Sequence, residues 1–197
     1  MSARRTQAER RAATIAKLTD ATIAVLADVG YAQASTKVIC ERAGCSQGAL
    51  FRHFATRLDL VAEATLAIEA RHLDRFATFF EGWGGKWPAL AAFVRAQTRT
   101  PVHAAWREVV VAARTDVELR ERVGPVLQRF ETWLMAIPVR SLGAAPRRAE
   151  HAGMVFLSVL HLFDSEAGTA ALHRNEELEA GRLRWAADIL RREIAPD

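Results

Sequence analysis

The sequence predicts an all-α protein in which an N-terminal three-helix domain precedes a larger helical bundle. Apolar residues recur at helical spacing along most of the 197 residues, and strand patterns are almost absent. Residues 35–54 read as two short helices around a glycine-centred corner. Residues 1–60 hold nine Lys or Arg against five acids, so the whole formal charge of +4 lies in this segment. A basic small domain beside a neutral larger one is typical of proteins that bind a polyanion.

The first helix is predicted over residues 7–29. Its apolar residues follow the spacing of one buried helix face, as at Leu18, Ala21, Val25 and Leu26. Gly30 follows and predicts the end of this helix, because glycine is common just past a helix C-terminus.

The corner at residues 35–54 has a cap for each helix. Ser35 is placed to cap the first helix, Gly44 to end it in the left-handed conformation, and Ser46 to cap the second. Leu50 and Phe54, four residues apart, are predicted to point back into the first helix. The second helix then presents its remaining residues outward, namely Gln47, Gly48, Ala49, Phe51, Arg52 and His53. Small residues followed by polar, aromatic and basic ones suit a helix that enters a DNA major groove about 12 Å wide.

The remaining helices are marked by caps and breaks. Thr56 is placed to cap a long helix, and Pro88 to open the one after the break at residues 82–87. Further helices are predicted over residues 101–114, 116–137, 147–167 and 174–194, with a loop over 138–146 and a connector around Gly168. This gives roughly nine helices, with no repeats and no low-complexity tract.

The segment from Leu18 to Val61 resembles the DNA-binding domain of the tetracycline-repressor (TetR) family of bacterial transcriptional regulators. The matching residues are Ala21, Gly30, Tyr31, Ile39, Ala43, Gly44, Ser46, Gly48, Leu50, Phe54 and Leu60. The resemblance covers somewhat under a quarter of the chain, and the helical remainder agrees in length. It implies a DNA-binding domain over residues 1–56 and an effector-binding and dimerisation domain over 57–197. It also implies a homodimeric repressor that a small effector releases from DNA, and no enzyme activity.

The resemblance carries a set of DNA-binding residues onto this sequence: Thr36, Lys37, Ser46, Gln47, Gly48, Ala49, Phe51, Arg52, His53 and Arg57. Lys37 and Gln47 are our candidates for base contact, since Lys suits guanine and Gln suits adenine. Thr36, His53 and Arg57 are expected on phosphate. Gly48 and Ala49 would let the helix approach closely, whereas a solvated charge is the alternative for Arg52 and Arg57.

The sequence departs from the family pattern at four positions. Phe51 stands where tyrosine is common, Cys45 where valine is common, Leu26 where phenylalanine is common, and Leu58 where a polar residue is common. Phe51 matters most, because a side chain without a hydroxyl cannot hydrogen-bond phosphate and offers apolar contact, as to a thymine methyl.

Two features near the corner stay open from the sequence. Arg4, Arg5, Arg10 and Arg11 suit either an arm that touches the minor groove or backbone, or a disordered, solvated tail. Cys40 and Cys45 are either small apolar residues or a thiol switch that distorts the corner on oxidation.

The larger domain offers candidate effector-binding residues: His103, Trp106, Phe130, Trp133, Met154 and His161. An aromatic interior with a few polar points is how ligand pockets in helical bundles are lined, although the same residue types fill any core. This composition predicts an apolar or aromatic effector. No histidine pair has the i, i+4 spacing of a metal site, so neither a metal nor a cofactor is expected.

The last two long helices are expected to form the dimer contact, because residues 152–163 are apolar on more than one side. A two-fold dimer predicts a palindromic operator. An enzyme and a protein-interaction bundle are the alternatives. The first has no phosphate loop, nucleophile elbow or acid/base pair to support it, and the second leaves the basic outward face unexplained. Without a signal peptide or spanning segment in the sequence, a cytoplasmic location is expected.

Overall fold

The computed structural model describes residues 6–195. Within that range the chain forms nine α-helices, one short 3₁₀ helix and no strand, which confirms the all-α prediction. The α-helices are α1 (Gln7–Gln33), α2 (Thr36–Ala43), α3 (Gln47–Phe51), α4 (Arg57–Glu81), α5 (Trp87–Thr98), α6 (Pro101–Ala113), α7 (Val117–Ser141), α8 (Ala149–Thr169) and α9 (Glu176–Ile194), and the 3₁₀ helix is Pro146–Arg148.

The chain divides into two compact units. Among the described residues, the first unit contains residues 6–71 and 101–124, and the second contains residues 72–100 and 125–195. The first unit therefore adds α6 and the start of α7 to the helices that carry the corner. The predicted boundary after residue 56 separates a DNA-binding domain from an effector-binding domain, and it stays a prediction.

The first unit is built on α1, which packs against both α2 and α6. Its core contains fully buried side chains from the first helix, the corner and α4, including Leu18, Leu26, Ile39, Leu50 and Leu60. Burial of one such side chain stabilises a fold by roughly 1.5–3 kcal/mol. These contacts hold the two helices of the corner against a rigid platform.

Gly30 interrupts α1 close to the predicted end. Its backbone, with φ 78° and ψ 169°, is not helical, and one further turn then reaches Gln33. The sequence prediction of a break at this glycine is confirmed. The turn beyond it was not predicted.

The second unit has an aromatic core around Phe76, which is almost wholly buried. Its ring lies edge-on to Phe93 at a centroid distance of 5.1 Å, to Trp133 at 5.7 Å and to Phe156 at 6.3 Å. Such pairs add roughly 0.5–1.5 kcal/mol each beyond their buried area. The packing joins α4, α5, α7 and α8 within this unit.

Two predicted boundaries were wrong. Helix α7 continues through Pro138 to Ser141, where the sequence predicted a loop. Pro138 is itself buried, and the extension leads directly to Leu142, which is also buried, so packing outweighs the lost backbone hydrogen bond. Gly168 lies inside α8 rather than in a connector, and the connector lies at residues 170–175, where Asn175 caps α9.

Candidate nucleic-acid interface

The corner begins with a helix that is capped at both ends. The Ser35 hydroxyl accepts a hydrogen bond from the Val38 N–H at 3.3 Å, and Gly44 adopts the left-handed conformation at φ 58°. Two backbone bonds close the end of α2, from Gly44 N–H to the Glu41 carbonyl at 3.2 Å and from Cys45 N–H to the Cys40 carbonyl at 3.0 Å. This pair of bonds defines a Schellman motif. Both caps predicted from the sequence are confirmed.

The second helix of the corner is short. The Ser46 hydroxyl accepts from the Ala49 N–H at 3.1 Å, as predicted, but α3 ends at Phe51. A further turn carries the chain to Phe54, whose N–H donates to the Leu50 carbonyl at 3.0 Å. Leu50 and Phe54 are both buried, so the predicted inward pair is confirmed.

The outward face of the corner carries most of the predicted DNA-binding residues. The exposed members of the set are Lys37, Ser46, Gln47, Gly48, Phe51 and Arg52. Thr36, Ala49 and His53 are half-buried at its edge. Phe51 leaves 50% of its surface in solvent. Lys37 and Gln47, the two candidate base readers, line one cleft of about 530 Å³ between α2 and α3.

Arg57 has a structural role that was not predicted from the sequence. Its Nη1 donates to the Tyr31 carbonyl at 3.0 Å and to the Ala34 carbonyl at 3.1 Å. Its guanidinium also lies 4.2 Å from the centre of the Tyr31 ring, a cation–π geometry. Arg57 therefore holds the last turn of α1 from the start of α4. Its Nη1 donors are used within the protein, so Arg57 is not simply a solvated charge.

The same turn of α1 is attached to α6 and to the start of α7. The Tyr31 hydroxyl donates to Asp116 Oδ2 at 3.1 Å, and the Tyr31 N–H donates to Glu108 Oε2 at 3.4 Å. Burial raises the pKa of Tyr31, and the Arg57 charge opposes that shift. The Leu119 N–H, which bonds the Asp116 carboxylate at the cap of α7, lowers the pKa of Asp116.

The start of α4 has a cap of its own. The Thr56 hydroxyl accepts from the Asp59 N–H at 3.0 Å, and Asp59 Oδ2 accepts from the Thr56 N–H at 3.0 Å, which confirms Thr56 as the cap. Asp59 Oδ1 also pairs with Arg122 Nη1 of α7 at 3.0 Å. The hydrogen bond from Thr56 is the main cause that lowers the pKa of Asp59. This pair fixes α4 to α7 within the first unit.

The candidate effector residues fall in two places. His103 and Trp106 are buried on α6 in the first unit, whereas Phe130 and Trp133 lie on α7 in the second. Phe130 stacks on Trp133 with ring centroids 6.2 Å apart. Both pairs therefore lie in packed interiors, which is also what ordinary core packing predicts for these residues.

Met154 and His161 were wrongly assigned to an interior. Both are exposed on α8, Met154 with 54% of its surface in solvent. The buried face of α8 is instead formed by Phe156, Leu160 and Phe163. Residues 154 and 161 lie two turns apart on the opposite face, so the apolar pattern indicated the right helix and the wrong side.

An ionic cluster in the second unit was not predicted from the sequence. Arg95 of α5 and Arg99, directly after α5, each bond both Glu166 of α8 and Glu179 of α9. Arg99 Nη2 lies 2.9 Å from a carboxylate oxygen of each glutamate. Both carboxylates are buried, and the bond from Arg99 lowers the pKa of Glu179. The partners are 67 to 84 residues apart in the sequence, which is why no local pattern revealed them.

Residues 6–195 contain no group of three or more His, Cys, Asp or Glu side chains arranged to hold a metal ion. Cys40 and Cys45 are free thiols, Cys40 buried and Cys45 half-buried. No helix in the described part of the chain is long and apolar enough to span a membrane.

Comparison with known proteins agrees with the resemblance at the corner. The family model for bacterial regulatory proteins of the tetR family matches residues 18–64. An uncharacterized HTH-type transcriptional regulator of Mycobacterium tuberculosis is 36% identical over 190 residues, which are 94% of this chain and 97% of the relative. A crystal structure of a transcriptional regulator from Rhodococcus sp. Rha1 superposes with a TM-score of 0.68 at 25% identity, and the match covers 92% of this chain and 99% of that one. The fold is also shared by the multidrug binding protein EbrR, solved with imidazole, with a TM-score of 0.68 at 18% identity over 100% of this chain and 99% of that one.

Proposed function

The chain belongs to the TetR family of bacterial transcriptional regulators, and we propose that it is a homodimeric repressor of a palindromic operator, released by a small effector. The family and the fold are those of DNA-binding regulators rather than enzymes. One observation supports the operator proposal most directly. The short helix α3 places Gln47, Gly48 and Phe51 in solvent beside Lys37, while Leu50 anchors it from behind.

Each outward residue has a role that its chemistry and exposure support. Lys37 reads guanine and Gln47 reads adenine in the major groove, and the small Gly48 and Ala49 let the helix approach the base edges. Phe51 contacts a thymine methyl, which would cover the exposed ring. Thr36, Arg52 and His53 bind phosphate at the edges of the helix, where they fix its register. Arg57 is left out of this set, because its guanidinium holds the end of α1.

The dimer contact would lie on the exposed faces of α8 and α9. Large apolar side chains stand in solvent on both helices in the single chain, Met154 on α8 and Leu178 and Trp185 on α9. Two such helices from each subunit make a four-helix contact with a two-fold axis. A two-fold dimer reads a palindrome whose half-sites are one or more helical turns apart.

The effector would be apolar or aromatic. The second unit holds stacked and edge-on rings around Phe76, Phe93 and Trp133, and such walls suit flat apolar molecules. EbrR, which has the same fold, is a multidrug binding protein. Release requires that the effector bind more tightly to a subunit arrangement in which the recognition helices no longer match the operator spacing. Such a regulator acts in the cytoplasm, where its DNA lies.

A mobility-shift assay with the DNA immediately upstream of the gene tests the proposal. We expect a sequence-dependent shift with wild-type protein, and a dimer by sedimentation. Gln47→Ala should weaken binding by about 1–3 kcal/mol and relax the preference at one base position. A matched control is Gln128→Ala, an exposed glutamine on α7, which should bind like wild type. A wild-type protein that binds upstream and random duplexes equally would refute the operator proposal, and a monomer would refute the palindrome.

A further inference from the structure

We propose that a groove between the start of α1 and helix α3 binds the DNA sugar–phosphate backbone beside the segment read by the recognition helix. The inference rests on the proposed DNA-binding function and extends it from α3 to the start of α1. The groove has a volume of about 470 Å³ and is lined by Gln7, Arg10, Arg11, Thr14, Ala49, Arg52 and His53.

The charge of the groove is one-sided. Three arginines line it, two from α1 and one from the turn after α3, and no Asp or Glu among the described residues does. The cleft lined by Lys37 and Gln47 differs, because Glu41 also lines it. The nearest acid in the sequence to the α1 arginines is Glu9, and its carboxylate accepts from the Thr6 N–H at 2.7 Å. A concave surface that concentrates positive charge attracts a polyanion.

The start of α1 is ordered well enough to hold its arginines in place. Thr6 and Glu9 form a capping box, in which the Glu9 N–H also donates to the Thr6 hydroxyl at 3.2 Å. Arg10 and Arg11 are therefore helical residues. For these two, the expectation of a disordered tail was wrong, while Arg4 and Arg5 lie outside the described residues.

The start of α1 also lacks a packing role in the single chain. Residues 7–13 are exposed all round, and the buried face of α1 begins only at Leu18. Two turns of helix that are exposed on every side gain no stability from a core. What these turns do contribute is positive charge next to α3 and the turn that follows it, which supply Ala49, Arg52 and His53 to the same groove.

The occupant that fits is a phosphodiester chain. Arginine binds phosphate through paired N–H donors, and the groove continues the surface of α3 that faces the bases in the proposed complex. Contacts to phosphate fix the register and carry no base preference. The groove should therefore add affinity and salt dependence, and leave sequence preference unchanged.

The test compares Arg10→Ala/Arg11→Ala with a matched variant, Arg75→Ala/Arg140→Ala, which removes two exposed arginines in the second unit. Binding of a fluorescein-labelled upstream duplex and of a random duplex of equal length is measured at several KCl concentrations. Each lost phosphate contact lowers the slope of log K against log[KCl] by about 0.9. For Arg10→Ala/Arg11→Ala, the groove variant, the magnitude of this slope should fall by about two for each bound subunit. The fall should be equal on the two duplexes. The matched variant should keep the wild-type slope, and Arg10→Lys/Arg11→Lys should recover most of it.

The outcomes separate the two proposals. If wild type prefers the upstream duplex but the groove variant keeps its full slope, the groove is not a DNA contact and the proposed function stands. A groove variant that loses the preference between duplexes while its slope is unchanged would also overturn the inference, since phosphate contacts do not read bases. Wild-type protein that binds neither duplex would refute both. Melting curves that match wild type would show that the alanine variant is folded, as expected for exposed helix positions.

Discussion

Replacing Gly30 with alanine should destabilise the protein by straining the end of α1. The backbone at Gly30, with φ 78° and ψ 169°, lies in a region that only glycine occupies readily. Holding another residue there costs about 1–3 kcal/mol. The new Cβ would also lie 2.8 Å from Glu108 Oε2, too close for any real contact, so the Glu108 carboxylate must move away from the Tyr31 N–H.

The strain alone corresponds to a fall in Tm of about 2–12 °C for a chain of this size. The assay is thermal unfolding followed by circular dichroism at 222 nm. Gly181→Ala is the matched control: it lies inside α9, the nearest atom to its added Cβ is 4.0 Å away, and it should keep or raise the Tm. The clash can be isolated by repeating Gly30→Ala in a Glu108→Ala background, where the loss should be smaller but still present. If the Tm of Gly30→Ala lies within about 1 °C of the wild-type Tm, the strain is negligible and the reasoning is refuted.

Three further outcomes are expected. Arg57→Met should lower the free energy of unfolding by about 1–3 kcal/mol while leaving the salt slope of DNA binding unchanged, and a flatter slope would restore its phosphate role. Burial, with a contribution from the neighbouring Cys45 thiol, raises the pKa of Cys40 to about 11, so a thiol reagent at pH 7.5 should label Cys45 well before Cys40. Equal labelling rates would contradict this prediction. If oxidation weakens DNA binding by the wild type but not by Cys40→Ala/Cys45→Val, the two cysteines form a thiol switch. Because the bond from Arg99 lowers the folded-state pKa of Glu179 below 4.5, its contribution to stability is complete above that pH and is lost as the pH falls further. Glu179→Gln should therefore flatten stability between neutral and acid pH, and an unchanged acid profile would argue against the ion pair.

The corner could be predicted from the sequence because its interactions are local. Ser35, Ser46 and Thr56 each bond a backbone N–H three residues ahead, and Gly44 needs only its own backbone conformation. Short-range signals of this kind can be read from residue type and spacing. The same signals located Gly30 as a break.

The attachments between distant segments could not be predicted in this way. Arg57 reads as a basic residue at a helix start, and nothing near it in the sequence reveals that Tyr31 lies under its guanidinium. Glu108 is 77 residues from Tyr31 and carries no local pattern. On α8, the composition identified an apolar helix, but residues on both sides of it are apolar, so Met154 was assigned to the interior. Only packing shows which face a neighbouring helix covers.

The attachment of the last turn of α1 predicts where mutations that alter repression should lie. One turn of backbone is held from three directions, by Arg57 of α4, by Glu108 of α6 and by Asp116 at the cap of α7. A screen for alleles with altered repression should recover changes at Glu108 and Asp116 alongside those in the corner. The residues changed in such alleles would contact neither the chromosome nor the inducer. Their codons would lie more than fifty codons downstream of those for the residues that read bases.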